Sequence, residues 1–192
     1  MTGTSAAHDS PIQLGQGLSL LIGGARSGKS DLAVSLAKAF AGEVVFAATA
    51  EAGDDDMAAR IDRHKADRPS DWGLVEAPLL DASTVDTIDP SALLIIDCIT
   101  LLVTNLMLAD KTNQQIGQHA SVLSHVLVSR RAPTIVISNE VGLGVHPETE
   151  LGRRFRGVLG RYNNQMASGA ETTLFIAAGQ AVSLKKVALG WQ

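Results

Sequence analysis

Runs of consecutive apolar, β-branched-rich residues recur along the chain at 18–22, 43–47, 93–97, 134–138 and 172–177. Between them lie stretches in which apolar positions return every three or four residues, the spacing of one helix face. Helices are predicted at 29–41, 54–67, 99–108, 115–130 and 148–168, the last carrying Leu151, Phe155, Leu159, Tyr162 and Met166 on one side. A weaker strand pattern follows at 182–187. Strands that are apolar throughout, rather than at alternate positions, are covered on both faces, and strands alternating with helices imply crossover connections. The expected architecture is therefore α/β: a mostly parallel central sheet with helices on both faces, whose ligands collect at the carboxyl ends of the strands.

No internal repeat, low-complexity run or linker interrupts residues 18–192, which are read as one domain, and 192 residues suffice for one full core but make two independent cores small. Residues 1–17 are rich in Ser, Thr, Ala and Gly. With neither a basic start nor an apolar stretch they read as a flexible tail rather than an export signal. Hydrophobic residues make up 45% and charged residues 19%, a globular balance. No apolar run approaches the ~18 residues that would span a bilayer. The single cysteine, Cys98, excludes an internal disulfide, fits a cytoplasmic location and, beside an apolar run, reads as a small core residue. A net charge of −4 gives no reason to expect nucleic-acid binding.

The first apolar run leads directly into Gly23-Gly24-Ala25-Arg26-Ser27-Gly28-Lys29-Ser30 and then into a helical pattern. In G-x-x-x-x-G-K-S the glycines let backbone N–H groups approach phosphate oxygens, the Lys29 ammonium reaches the β and γ phosphates, and the Ser30 hydroxyl can ligate Mg²⁺. The N-terminus of the following helix adds partial positive charge at the same point. A chance glycine-rich turn would not need this strand before it and helix after it.

Three further segments carry candidate chemistry. Leu93-Leu94-Ile95-Ile96-Asp97 ends a buried strand in an acid, placed to act near Mg²⁺ or to cap the next helix, roles that are compatible. In 54–68, Asp54, Asp55 and Asp56 open a helical pattern whose later turns bear Arg60, Arg63, His64, Lys65 and Arg68. His64 shares a face with Met57 and Ile61, which suits a partly buried, hydrogen-bonded histidine. It equally suits a neutral imidazole that attacks an α-phosphate while Arg60, Lys65 and Arg68 offset the developing charge, and spacing alone leaves both open. The strand at 134–138 runs into Asn139-Glu140-Val141-Gly142-Leu143-Gly144, either a structural turn or a substrate-positioning loop in which Glu140 is a general base. Arg153, Arg154, Arg156 and Arg161 read as a solvated helix face, one of which could reach a phosphate. His8, His119, His125 and His146 show no paired metal-ligand spacing.

Taken in order, Gly-Gly-Ala-Arg-Ser-Gly-Lys-Ser, Arg60-Ile61-x-x-His64 with Arg68-Pro69-x-x-Trp72, Asp97-Cys98-Ile99-Thr100 with Asn105, Ser138-Asn139-Glu140-Val141-Gly142-Leu143-Gly144, Gly152-x-x-Phe155-Arg156 and Gly160-Arg161-x-Asn163-x-Gln165 closely resemble the bifunctional adenosylcobinamide kinase/adenosylcobinamide-phosphate guanylyltransferase family. The resemblance runs from about Leu18 to Lys185. It implies a RecA-like P-loop NTPase fold, a homotrimer, and two reactions on adenosylcobinamide and its phosphate. The first is phosphorylation by ATP or GTP, which these residues do not distinguish; the second is transfer of GMP from GTP through a guanylylated histidine. That histidine maps to His64, and Arg63 before it leaves no adjacent histidine to compete. The resemblance further assigns Lys29, Ser30 and Asp97 to phosphate and Mg²⁺, and Thr49, Ala50, Glu51, Lys65, Arg68 and Glu76 to nucleotide contacts. Two other functions share some of these features: a P-loop kinase of a different small hydroxyl compound, which would form no covalent nucleotidyl adduct, and a RecA-like ATPase or switch acting on a macromolecule. The latter would be expected to show a basic, aromatic binding stripe that this chain lacks.

Overall fold

The computed structural model describes residues 15–51 and 69–186. Among them the chain runs β1 (Leu18–Gly23), α1 (Lys29–Lys38), β2 (Val44–Ala48), β3 (Gly73–Glu76), α2 (Ala82–Asp86), β4 (Leu93–Asp97), α3 (Ile99–Leu108), α4 (Asn113–Val128), β5 (Thr134–Asn139), α5 (Glu150–Gly169), β6 (Thr172–Ala177) and β7 (Gln180–Leu184). The strands form one sheet in the order β3-β2-β4-β5-β1-β6-β7. All neighbours pair in parallel except β6 and β7. The helix expected at 54–67 lies outside the described residues, as does most of the expected tail; at the tail's end the Gly17 carbonyl accepts the Thr134 N–H at 3.1 Å.

Alternate residues of the same strands feed two cores, which is why the strands read as continuously apolar. On one face Leu18, Leu20 and Ile22 of β1, Leu94 and Ile96 of β4 and Val136 of β5 pack with α3, α4 and α5. On the other, Leu21, Leu93, Ile95, Ile135, Ile137, Leu174 and Ile176 pack with Ala33 and Ala37 of α1. Cys98 belongs to this second core, and burial pushes its thiol up to about 11, which keeps it protonated and inert. None of the described helices is long and apolar enough to cross a membrane.

Several elements depart from expectation. Strand β3 was not anticipated because its four residues are mostly exposed, and α2 is held by one cap, the Asp81 carboxylate accepting the Thr84 N–H at 2.9 Å. This bond, with those from the Ser83 and Thr84 hydroxyls, holds the Asp81 carboxyl below the usual range. The last strand begins two residues before 182, because Ala178 (φ 51°) and Gly179 (φ 74°) make a tight left-handed turn that folds β7 back on β6. Alanine at such a position gives no sequence signal for a turn. Helix α4 starts at Asn113 rather than 115, where Thr112 and Gln115 form a reciprocal capping box. Of the apolar stripe on α5, Leu159, Tyr162 and Met166 are buried, whereas Leu151 is 63% exposed.

Helices α4 and α5 meet at a polar contact that the pattern did not suggest: His119 Nδ1 lies 2.9 Å from the Tyr162 hydroxyl. Burial depresses the His119 pKa below its ordinary value, outweighing the opposing influence of the Leu80 carbonyl and Asp81. The folded chain therefore keeps this ring neutral at pH values where the unfolded chain would protonate it. The resulting stability is complete above the unfolded-state pKa of about 6.5 and is lost as the pH falls through the folded-state value. Denaturant titrations from pH 7.5 down to 5 are expected to show a steeper loss of stability in the wild type than in His119→Gln; parallel curves would contradict this.

Candidate active site

Register brings the chemistry to one edge. Gly23 of β1 pairs with Asn139 of β5, Asp97 of β4 with Ile137 of β5, and Ala48 of β2 with both Asp97 and Glu76. The carboxyl ends of five parallel strands thus lie side by side, each ending in a candidate residue or followed by a loop that carries one.

Residues 23–30 form a compact loop from β1 into α1. Gly23 is required sterically, since a Cβ there would run into the Ile176 carbonyl of neighbouring β6. Gly28 caps α1 in the left-handed region at φ 97°, and Arg26 also has positive φ, at 57°. Gly24, Ala25 and Arg26 are exposed, while Ser27 is buried. Lys29, only 7% exposed, donates from Nζ to the Gly24 carbonyl at 2.5 Å and to Ser27 Oγ at 3.3 Å. The Ser30 hydroxyl donates to Asp97 Oδ2 at 3.0 Å, joining the start of α1 to the end of β4.

These two oxygens are the hard donors that Mg²⁺ takes. Among the described residues no group of three or more His, Cys, Asp or Glu could hold a metal ion. A hydroxyl and a carboxylate oxygen fit a cation whose remaining positions are filled by nucleotide phosphate and water, as is usual for Mg²⁺.

The loop after β5 is fixed by its main chain. Thr100 Oγ1 accepts the Asn139 N–H at 2.9 Å, and Asn163 Nδ2 donates to the Asn139 carbonyl at 3.1 Å. Asn163 is in turn oriented by Ser138, whose hydroxyl donates to Asn163 Oδ1 at 2.6 Å. The Glu140 N–H donates to the Gly23 carbonyl at 3.1 Å, so this loop is tied directly to the glycine-rich one. The Glu140 carboxylate accepts the Gly142 N–H, and Arg156 donates to the Gly142 carbonyl. Glu140 also lines a cavity of about 450 Å³ with Leu143, Asn163, Asn164 and Phe175.

Thr49, Ala50 and Glu51 follow β2. Thr49 is fully buried; its hydroxyl donates to the Cys98 carbonyl at 2.7 Å and accepts the Cys98 N–H at 2.8 Å, beside the cis Asp97–Cys98 peptide. Ala50 is half-buried, Glu51 exposed, and Glu76 exposed at the end of β3. His64, Lys65 and Arg68 lie outside the described residues. The α5 arginines hold loops: Arg153 donates to the Pro147 and Glu148 carbonyls, and Arg154 to Asn113 and the Lys111 carbonyl. Thr100, Asn105 and Asn163 were present in the motifs without an assigned task. For Thr100 and Asn105 the available signal was polar residues within an otherwise apolar helix; Asn163, in a helix rich in polar residues, gave none.

Comparison with known proteins agrees with this arrangement. Residues 19–184 match the family model described as cobinamide kinase / cobinamide phosphate guanyltransferase. The chain is 40% identical over 167 residues to the bifunctional adenosylcobalamin biosynthesis protein CobP of Pseudomonas aeruginosa, covering 86% of this chain and 96% of that protein. It is 35% identical over 179 residues to the bifunctional adenosylcobalamin biosynthesis protein CobU of Escherichia coli, covering 86% and 98%. Among solved structures, a KaiC-like protein from Pyrococcus horikoshii superposes with a TM-score of 0.51 at 17% identity, covering 83% of this chain and 72% of that one, a likeness of fold alone.

Proposed function

Since this chain belongs to the cobinamide kinase / cobinamide phosphate guanyltransferase family, we propose that it phosphorylates the aminopropanol hydroxyl of adenosylcobinamide and then converts that phosphate to adenosylcobinamide-GDP through a guanylylated His64. The observation that carries the kinase half is the convergence of Lys29, the Ser30–Asp97 pair and Glu140 on one sheet edge, with the Glu140 main chain bonded to Gly23.

In the first reaction Lys29 leaves the Gly24 carbonyl to neutralise the β and γ phosphates of ATP or GTP. Glu140 takes the proton of the acceptor hydroxyl as its oxygen attacks the γ-phosphorus, and the bond to the nucleoside diphosphate breaks. Mg²⁺ held at Ser30 and Asp97 would supply charge neutralisation on the phosphates. In the second reaction an imidazole nitrogen of His64 attacks the α-phosphorus of GTP and pyrophosphate leaves. A phosphate oxygen of the corrinoid ester then attacks the same phosphorus and frees the imidazole. Lys65 and Arg68 serve the charge that develops there, while Glu51 and Glu76 are proposed nucleotide contacts. A homotrimer completes the reading, supported by the apolar side chains of Val182 and Leu184 on the outermost strand, 61% and 47% exposed, which a neighbouring subunit would cover.

Purified protein given adenosylcobinamide, Mg²⁺ and either ATP or GTP is expected to yield the corrinoid phosphate by mass spectrometry, and with GTP present the GDP derivative afterwards. Recovery of unmodified corrinoid with both nucleotides would exclude the reading and leave a kinase of some other small hydroxyl compound.

A further inference from the structure

Asp97 is held in place by residues whose polar groups bond the main chain around it. The Thr49 N–H donates to the Asp97 carbonyl at 3.1 Å, and the Thr49 hydroxyl bonds both the N–H and the carbonyl of Cys98. One fully buried residue thereby grips Asp97 through its main chain and Cys98 through a side chain with a stiff, β-branched χ1. Thr49 is itself anchored from α3: Asn105 Nδ2 donates to the Thr49 carbonyl at 2.9 Å and to the Pro78 carbonyl at 2.9 Å, so both amide hydrogens are committed. The ends of β2 and β4, and the chain leaving β3, are locked together behind the Asp97 carboxylate that faces Ser30 at 3.0 Å.

We propose that Thr49 and Asn105 are positioning residues that hold the Asp97 carboxylate opposite the Ser30 hydroxyl and so set the affinity for the divalent cation accompanying the nucleotide. This rests on the assignment of Ser30 and Asp97 to that cation. The Thr49 hydroxyl is wholly spent on the Cys98 backbone, so its contribution passes through the main chain rather than through a nucleotide contact. Loss of a group that orients a metal ligand lowers affinity about 10- to 100-fold. Thr49→Val keeps the shape and removes the hydroxyl, leaving the Cys98 N–H without its side-chain partner while the Cys98 carbonyl keeps the Leu102 N–H at 3.1 Å. Thr49→Ser keeps the hydroxyl. Asn105→Leu removes both donors at similar volume.

The test is Mn²⁺ binding to the full chain saturated with a non-hydrolysable GTP analogue, read from the EPR signal of free Mn²⁺, with melting temperature recorded in parallel. Wild type and Thr49→Ser are expected to bind alike, and Thr49→Val and Asn105→Leu about tenfold or more weakly. Unchanged Mn²⁺ affinity in Thr49→Val and Asn105→Leu, whatever their melting temperatures, would overturn the proposal, as would equal weakening in Thr49→Ser. If Thr49→Val does not fold, the comparison of Asn105→Leu with wild type decides. Asp97→Asn separates the two levels: if it leaves wild-type Mn²⁺ affinity intact, the cation assignment fails and this inference falls with it, whereas a loss there with none in Thr49→Val and Asn105→Leu defeats the inference alone.

Discussion

His64→Ala is expected to abolish the covalent label that the wild type acquires from α-labelled GTP and Mg²⁺, a label that is acid-labile and alkali-stable as a phosphoramidate should be. Formation of the GDP derivative should fall by about 10³-fold or more, the scale of removing a residue on which a covalent route depends. Phosphorylation of adenosylcobinamide should persist, because the groups assigned to that step are contributed by β1, α1, β4 and the loop after β5. The two readings of His64 part here. A histidine that only packs would leave wild type and variant equally unlabelled, while a nucleophile at another position would leave both labelled. Intact-mass measurement after GTP treatment, with rapid-quench sampling during turnover, distinguishes these outcomes.

Lys29→Ala is expected to lower kcat/KM for phosphoryl transfer to adenosylcobinamide by about 10³-fold, since a preorganised charge aimed at the transferring group is worth two to three orders of magnitude. The ammonium is almost fully buried within its loop and lies at the first turn of α1, so its charge acts in surroundings largely stripped of water. Circular dichroism should show a folded chain, because the main-chain bonds that shape the turn, such as Leu32 N–H to the Gly28 carbonyl at 3.0 Å, do not involve the side chain. Retained phosphoryl transfer in a folded Lys29→Ala protein would remove this residue from the reaction.

What sequence alone reveals here is governed by locality. The phosphate-binding turn was legible because all its determinants are consecutive, and β4 because Leu93, Leu94, Ile95 and Ile96 are all sealed from solvent between two cores. Strand β3 carried no such signal, being an exposed four-residue edge that exists by pairing with β2. The start of β7 was displaced because its turn depends on a positive φ at Ala178. The supports of the site were the least legible part. Thr49 with Cys98, Asn139 with Thr100, and Ser138 with Asn163 are contacts between residues dozens of positions apart along the chain, and no periodicity records them. The arginines of α5 were ambiguous for the same reason, since the carbonyls that Arg153, Arg154 and Arg156 grip lie in loops whose path the helix pattern does not specify.

The tether between the Lys29 ammonium and the Gly24 carbonyl makes ligand capture an exchange rather than an addition. On the proposed phosphate role, an incoming anion replaces an oxygen already in place, so a polyphosphate chain that meets several backbone N–H groups at once is expected to hold better than a single orthophosphate.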